Sequence, residues 1–159
     1  MRKHHLLGAI LLCGGLFSCS SEVIQQANYE IIPLPQEIKI STGNFVLNDR
    51  TSIVYPKGND EMQQNANLLA TYIRQMSGKK LKVIDEQITS NVITLTTGLN
   101  TDNAEAYQLK VTPDNIIIRG ASEAGTFYGI QTLRKSLPAT NKGDISLPGV
   151  EINDYPRFS

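Results

Sequence analysis

The sequence predicts an α/β fold of the α+β type, in which a mostly antiparallel sheet packs with two helices. Three observations lead to this prediction. Short apolar segments typical of strands recur along the chain and outnumber the helical segments. Two longer segments, 60–77 and 122–136, carry apolar residues at helical spacing between start and stop signals. The turn 112–115 (Thr-Pro-Asp-Asn) joins two strand segments as a β-hairpin, which indicates antiparallel pairing.

The strand segments are short and are separated by polar or turn-forming residues. Pro33 and Pro35 exclude a central strand for the first extended stretch but suit a sheet edge. Residues 41–44 (Ser-Thr-Gly-Asn) predict a turn, and a Pro148-Gly149 kink interrupts the last extended segment. The predicted strands are 37–40, 45–47, 51–55, 81–84, 92–96, 107–111, 116–118 and 145–152.

The first helix has recognisable signals at both ends. Asp60 is the predicted N-cap, with Gln63 as its capping-box partner, and Ser77-Gly78 predicts a left-handed stop. One stripe of this helix is apolar, as expected for a helix packed on one side rather than for a cofactor site. Its members are Met62, Ala66, Leu69, Tyr72, Ile73 and Met76.

The second helix is predicted to begin at Ser122 as N-cap and to end near Ser136, before Pro138. Gly125 and Gly129 lie four residues apart on one face and permit close approach of another backbone. Together with Gly120 they fit neither a dinucleotide-binding fingerprint nor a P-loop. The glycines therefore indicate packing rather than phosphate binding.

The first eighteen residues predict a lipoprotein signal peptide. A positively charged start is followed by an apolar run, 6–17, which at about a dozen residues is too short to span a ~30 Å bilayer core. Residues 16–19 (Leu-Phe-Ser-Cys) resemble a bacterial lipobox, which makes Cys19 the predicted lipid-attachment site. The alternative is an ordinary secretory signal with an incidental cysteine. The lipoprotein interpretation predicts export and anchoring to a bacterial envelope membrane, on its periplasmic or cell-surface face.

The rest of the chain is divided into three parts. Residues 19–28 are predicted to be a tether, 29–153 one α/β domain, and 154–159 the first residues of a further domain. Removal of residues 1–18 takes away Arg2 and Lys3, which leaves a net charge of −2. No basic patch remains, so we do not expect nucleic acid as a partner.

The composition of this domain excludes several kinds of chemistry. Both histidines and Cys13 lie in the predicted signal peptide, and Cys19 would carry the lipid. Ser-His-Asp and Cys-His catalysis are therefore excluded, as are zinc sites made of His or Cys. The acid pairs Asp60-Glu61 and Asp85-Glu86 are neighbours in sequence and point apart, whereas a glycosidase needs two carboxylates that face each other. We expect no catalytic residue, metal or cofactor in this chain.

Three motifs resemble the amino-terminal region of family 20 glycoside hydrolases, the β-N-acetylhexosaminidases. They are 32–36 (Ile-Pro-Leu-Pro-Gln), 127–133 (Phe-Tyr-Gly-Ile-Gln-Thr-Leu) and the final Asp154-x-Pro-Arg-Phe. The resemblance implies an accessory domain whose mostly antiparallel sheet is covered on one face by two helices. In the family these helices lean against a following (β/α)8 barrel.

The same resemblance implies the function of the parent protein. Family members hydrolyse terminal non-reducing N-acetyl-β-hexosaminides by substrate-assisted retaining catalysis, without a cofactor. Their catalytic Asp and Glu belong to the barrel, so this chain alone is expected to be inactive. Its expected partners are its own downstream barrel, glycans bound through that barrel, and the membrane. Because the second helix is apolar around much of its circumference, it is predicted to pack between domains, and the candidate inter-domain residues are Gly125, Tyr128, Gly129 and Arg157.

Two alternatives remain open from the sequence. The chain could be the accessory domain of a different barrel glycosidase, or a stand-alone lipoprotein module that binds a glycan or a partner protein. The reading frame after Ser159 would discriminate between them. The absence of Trp makes a sugar-stacking surface a poor prediction.

Overall fold

A computed structural model describes residues 24–140 and 143–156, which form one eight-stranded sheet and two helices. Both helices pack on the same face of the sheet and against each other. The elements in chain order are β1 (Gln25–Gln26), β2 (Glu37–Leu47), β3 (Ser52–Val54), α1 (Asp60–Ser77), β4 (Lys82–Ile84), β5 (Val92–Thr96), β6 (Tyr107–Val111), β7 (Asn115–Gly120), α2 (Glu123–Ser136) and β8 (Ile145–Asp154).

The α/β prediction is confirmed, and the sheet is mixed. The strands lie in the order β2-β8-β6-β7-β5-β3-β4, with β1 beside the start of β8. Pairings among β2, β8, β6 and β7 are antiparallel, whereas β7, β5, β3 and β4 pair in parallel. The predicted antiparallel character therefore holds for only one half of the sheet. The other half is parallel because α1 carries the chain from the end of β3 back to the start of β4.

The turn predicted at 41–44 is wrong, because these residues form an irregularity inside the single long strand β2. Ile40 pairs with Val150 and Asn44 with Pro148, so three residues of β2 lie opposite Gly149 alone. A Cβ on Gly149 would lie 2.6 Å from the Ser41 hydroxyl oxygen. Position 149 therefore requires glycine, because the bulge of β2 lies against the backbone of β8 there.

The folded domain begins earlier than the predicted boundary at Tyr29. Gln25 and Gln26 form β1, which pairs in parallel with Ile145 and Ser146. The Ala27 amide also donates to the Ser146 carbonyl at 2.8 Å. This side of β8 is available because β6 pairs only with residues 150–154 of that strand. The predicted tether is therefore shortened at its carboxyl end.

The core lies between the sheet and the helix layer. The stripe predicted on α1 is confirmed, since Met62, Ala66, Leu69 and Ile73 are fully buried. The largest fully buried side chains are Phe45, Leu47, Ile53, Met62, Leu69, Ile73, Ile93, Leu95, Leu109, Ile116, Ile118 and Ile130. The opposite face of the sheet is polar, with ion pairs between Lys39 and Glu37 and between Lys110 and Glu151. Within the described ranges, helices therefore cover only one face of the sheet. No helix in the described ranges is long and apolar enough to span a bilayer.

The N-cap of α1 is Asn59 rather than the predicted Asp60. Asn59 has an extended backbone, and its side-chain oxygen accepts from the Met62 amide at 2.9 Å. Its side-chain nitrogen donates to Glu123 at 2.9 Å, which joins the starts of the two helices. Gln63 is therefore not the capping-box partner, because Met62 occupies the third position after the cap. The predicted stop at Gly78, with φ 74°, and the predicted cap at Ser122 are confirmed.

Replacing Asn59 by alanine is expected to destabilise the domain by about 1 kcal/mol, because one amide of α1 loses its acceptor. Asp60→Ala removes an acid from the first turn but no cap, so we expect a loss of about half that size or less. Urea denaturation of the two variants would measure the difference. A larger loss of stability for Asp60→Ala than for Asn59→Ala would support Asp60 as the N-cap, as predicted from the sequence.

Candidate inter-domain surface

A hydrogen-bond cluster that is buried at Tyr107 and Thr132 and partly exposed at Asp154 fixes the place where the chain leaves the sheet. Tyr107 on β6 shares a hydrogen bond of 2.5 Å with Thr132 on α2. The Tyr107 hydroxyl also donates to one carboxylate oxygen of Asp154, at 3.2 Å. The Gln36 amide donates to the other oxygen of Asp154, at 3.1 Å. The end of β8 is thereby joined to β6, to α2 and to the segment before β2.

The pKa of Tyr107 supports a structural role for this cluster. Burial raises that pKa well above the ordinary value for a tyrosine, and the hydrogen bond with Thr132 lowers it by less. The negative charge of Asp154 raises it further. The phenol therefore stays protonated and keeps its hydrogen bond to Asp154.

Gly125 and Gly129 pack against their own domain. A Cβ on Gly129 would overlap the Ile118 side chain and would lie 3.1 Å from the Tyr107 ring. A Cβ on Gly125 would overlap the carbonyl oxygen of Ala106. Both glycines are buried. Their predicted inter-domain role is therefore corrected, since the close approach that they permit is between α2 and the sheet with its preceding loop.

Tyr128 is the predicted inter-domain residue that the structure leaves exposed. Its side chain is 40% accessible, and its ring meets that of Phe127 edge-on at a centroid distance of 5.8 Å. The other exposed residues of α2 are Ala124, Arg134 and Lys135, and the buried residues of the helix contact the sheet and α1. Arg134 lies 4.4 Å above the ring of Tyr72. The exposed apolar area is therefore smaller on α2 itself than the sequence predicted. Arg157, Cys19 and the predicted signal peptide lie outside the described residues.

Two other exposed apolar residues lie in segments next to the end of β8, Ile32 (87% accessible) and Tyr155 (50%). Leu34 (61%) instead lines a cavity with Ile40 and Pro148, farther back along β8. The Lys135 ammonium donates to the Ile32 carbonyl at 3.0 Å, which holds this segment against α2. We call Ile32, Tyr128 and Tyr155 the exit surface, because they lie in the three segments that meet at the end of β8.

The described residues do not form a glycosidase acid pair. Asp60 and Glu61 are exposed in the first turn of α1, and Asp85-Glu86 is exposed just after β4. Hydrogen bonds from Lys39 and Asn153 lower the pKa of Glu37, and one from Asn59 lowers that of Glu123. Both shifts favour the charged form, whereas a general acid needs a raised pKa.

The part of the chain that the structure describes contains no cluster of metal-ligating side chains. Within these ranges, no three Asp, Glu, His or Cys residues converge on a possible metal site. A cavity of about 410 Å³ lies between α1 and β4. Its lining residues are Asn67, Ala70, Thr71, Arg74, Lys80, Leu81 and Val83, which include no carboxylate.

Comparison with known families identifies this architecture. The sequence pattern described as glycosyl hydrolase family 20, domain 2, matches residues 28–155. The chain belongs to glycosyl hydrolase family 20. This match covers the folded domain from the start of the core to the exit surface, and it favours family 20 over another barrel glycosidase.

Relatives of this family 20 domain are much longer than the chain. A β-hexosaminidase of Porphyromonas gingivalis is 32% identical over 98% of the chain but over only 22% of its own length. A β-N-acetylhexosaminidase of Cellulomonas fimi is 28% identical over 81% of the chain and 26% of its own length. The chain therefore spans about a quarter of these relatives, as an amino-terminal accessory domain does.

Solved structures agree with this assignment. The domain superposes on an N-acetyl-β-hexosaminidase of Streptomyces plicatus, solved in complex with Thio-NAglucal, with a TM-score of 0.70 and 26% identity. That match covers 81% of this chain and 26% of the other. A β-N-acetylhexosaminidase of Bacteroides fragilis gives a TM-score of 0.61 at 25% identity, covering 82% and 25%.

Proposed function

We propose that this domain is the accessory part of a lipid-anchored β-N-acetylhexosaminidase and packs against a catalytic barrel that follows it. The parent enzyme would remove terminal β-linked N-acetylhexosamine from glycans. In the substrate-assisted route, the carbonyl oxygen of the substrate's 2-acetamido group is the nucleophile, and no cofactor is needed. The observation that carries the proposal is the family match over residues 28–155 within relatives about four times as long.

The exit surface supports packing against the next domain. Its three apolar side chains lie in segments that meet at the end of β8, from which a following domain would continue, so that domain could cover them without a long linker. The cluster of Tyr107, Thr132 and Asp154 fixes the direction in which the chain leaves. An apolar surface beside a rigid exit favours a fixed inter-domain arrangement over a flexible one.

Tyr128→Glu tests this surface in the full-length protein. A buried interface tyrosine commonly contributes about 2 kcal/mol, and the variant would also place a charge at the interface. We expect the two domains to unfold separately on heating and limited proteolysis to release the accessory domain. The isolated domain is expected to bind a hydrophobic dye, and to bind less of it with Tyr128→Glu.

Ile88→Glu is the matched control. Ile88 is 38% accessible, close to the value for Tyr128, but it lies between β4 and β5 near the opposite edge of the sheet. This variant should leave domain docking unchanged. If both variants behave like the wild type and the isolated domain binds no dye, a self-contained lipoprotein module becomes the better interpretation.

The lipid anchor is proposed from the lipobox at 16–19. Cleavage before Cys19 followed by acylation would attach two or three chains, at about 0.8 kcal/mol per buried CH₂, and thus hold the protein at a bacterial envelope membrane. Mass spectrometry of membrane-extracted protein should find the lipid on a peptide that begins at Cys19. A mature protein without lipid would refute this part of the proposal.

A further inference from the structure

The chain enters and leaves the sheet at opposite ends of the same strand. Gln25 pairs with Ile145, the first residue of β8, whereas Asp154 is its last residue. At about 3.3 Å per residue, these ends are roughly 30 Å apart. We call them the tether end and the exit end of the domain.

The neighbouring strand β6 spans the same two ends as β8. It begins at Tyr107, which pairs with Asp154, and ends at Val111, which pairs with Val150. The exposed Asp102 precedes β6 at the exit end, whereas the exposed Asp114 lies in the hairpin turn after β6, toward the tether end. These two positions are about 20 Å apart along the strand direction.

Ion pairs hold the loops of the tether end together. The side chain of Lys79 is 8% accessible, and its ammonium lies 2.9 Å from Asp144 and 3.9 Å from Asp49. These contacts connect the loops that follow β2, follow α1 and precede β8. The tether end is therefore a connected surface rather than a set of independent loops.

The distance from the predicted lipid to this end is short. Cys19 precedes Gln25 by six residues, which can span at most roughly 20 Å in any conformation. A lipid on Cys19 would lie at the bilayer surface. The tether end must then stay near that surface, whereas the exit end is not restrained in this way.

The open face of the sheet does not favour lying flat on the membrane. The open sheet face carries ion pairs such as Lys39–Glu37 and Lys110–Glu151. Removing these charged groups from water would cost free energy. The exit surface is assigned to the following domain. A net charge of −2 after removal of residues 1–18 also gives no attraction to anionic lipid.

We infer that the domain is a spacer whose tether end faces the bilayer and whose exit end holds the catalytic domain about one sheet length farther out, roughly 30 Å. This inference rests on the proposed lipid anchor and the proposed downstream barrel. It assigns the accessory domain a second task beside docking, because its length sets the height of the active site above the membrane.

Fluorescence energy transfer tests this orientation in the full-length lipoprotein. The protein is reconstituted in phosphatidylcholine vesicles that contain a headgroup-labelled acceptor lipid, with any other free thiol replaced by serine. A donor dye is attached at Asp114→Cys or at Asp102→Cys, two exposed positions beyond the two ends of β6. The height derived for position 102 should exceed that for position 114 by about 20 Å. Equal heights, or a lower one at position 102, would overturn the spacer.

Two controls separate the spacer from the anchor. Inserting about twenty Gly-Ser residues after Ser21 should abolish most of the height difference, because a flexible linker no longer restrains the tether end. A difference that persists with the long linker would show that the tether does not orient the domain. Cys19→Ser should leave the protein unbound to vesicles. If the parent is unbound as well, the proposed anchor fails, and the spacer fails with it.

Discussion

Ile118→Ala is expected to destabilise the domain by about 3 kcal/mol, because it removes a fully buried side chain from the centre of the core. Ile118 lies in β7 between Leu109 of β6 and Leu95 of β5, and α2 packs on it through Gly129. The surrounding strands are paired on both sides, so they cannot move inward to fill the space. Urea denaturation of the isolated domain would measure the loss.

Ile117→Ala is the matched control from the neighbouring position. Successive residues of a strand point to opposite faces, and Ile117 is half-buried on the face without helices. We expect a loss of about 1 kcal/mol or less, because little cavity is created there. Equal losses at the two positions would contradict the single covered face of the sheet.

Gly125→Ala is expected to cost about 2 kcal/mol, although alanine is the better helix former. In an unconstrained helix the change would stabilise by roughly 1 kcal/mol. Here the added Cβ would overlap the backbone oxygen of Ala106 and lie 3.2 Å from that of Ala104. Backbone atoms cannot rotate away as a side chain can, so α2 must move off the sheet, and overpacking of this kind costs about 1–3 kcal/mol or more.

Ala124→Val provides the comparison for Gly125→Ala. Ala124 is exposed in the same turn of α2, so the larger side chain meets solvent and only helix propensity changes, by about 0.7 kcal/mol or less. The two variants can be compared by thermal unfolding. If Gly125→Ala were as stable as the wild type, α2 would not lie as close to the 104–106 segment as described.

Local sequence signals predicted the elements that depend on local structure. The apolar stripe from Met62 to Ile73, the stop at Gly78, the cap at Ser122 and the hairpin at 112–115 depend on residues within a few positions of one another. The cap of α1 was displaced by one residue because both Asn59 and Asp60 are good capping residues. The structure identifies Asn59 as the N-cap, because its backbone is extended whereas Asp60 is already helical.

Features that depend on tertiary structure were not predictable from such signals. The parallel half of the sheet follows from the path of α1, and the long strand β2 follows from its pairing with β8. Gly125 and Gly129 have the spacing of an interface motif, but only the position of the sheet shows that they face inward. The cluster of Tyr107, Thr132 and Asp154 joins residues 25 and 47 positions apart in the chain, and a lone threonine in a helix gave no indication of it.

Hydrolysis of a chromogenic N-acetylglucosaminide tests most directly whether this chain is an accessory domain whose catalytic residues lie elsewhere. Residues 19–159 should fold and release no chromophore, whereas the full-length parent should hydrolyse the substrate. Activity of residues 19–159 that persists after contaminating host enzymes are removed would contradict that conclusion.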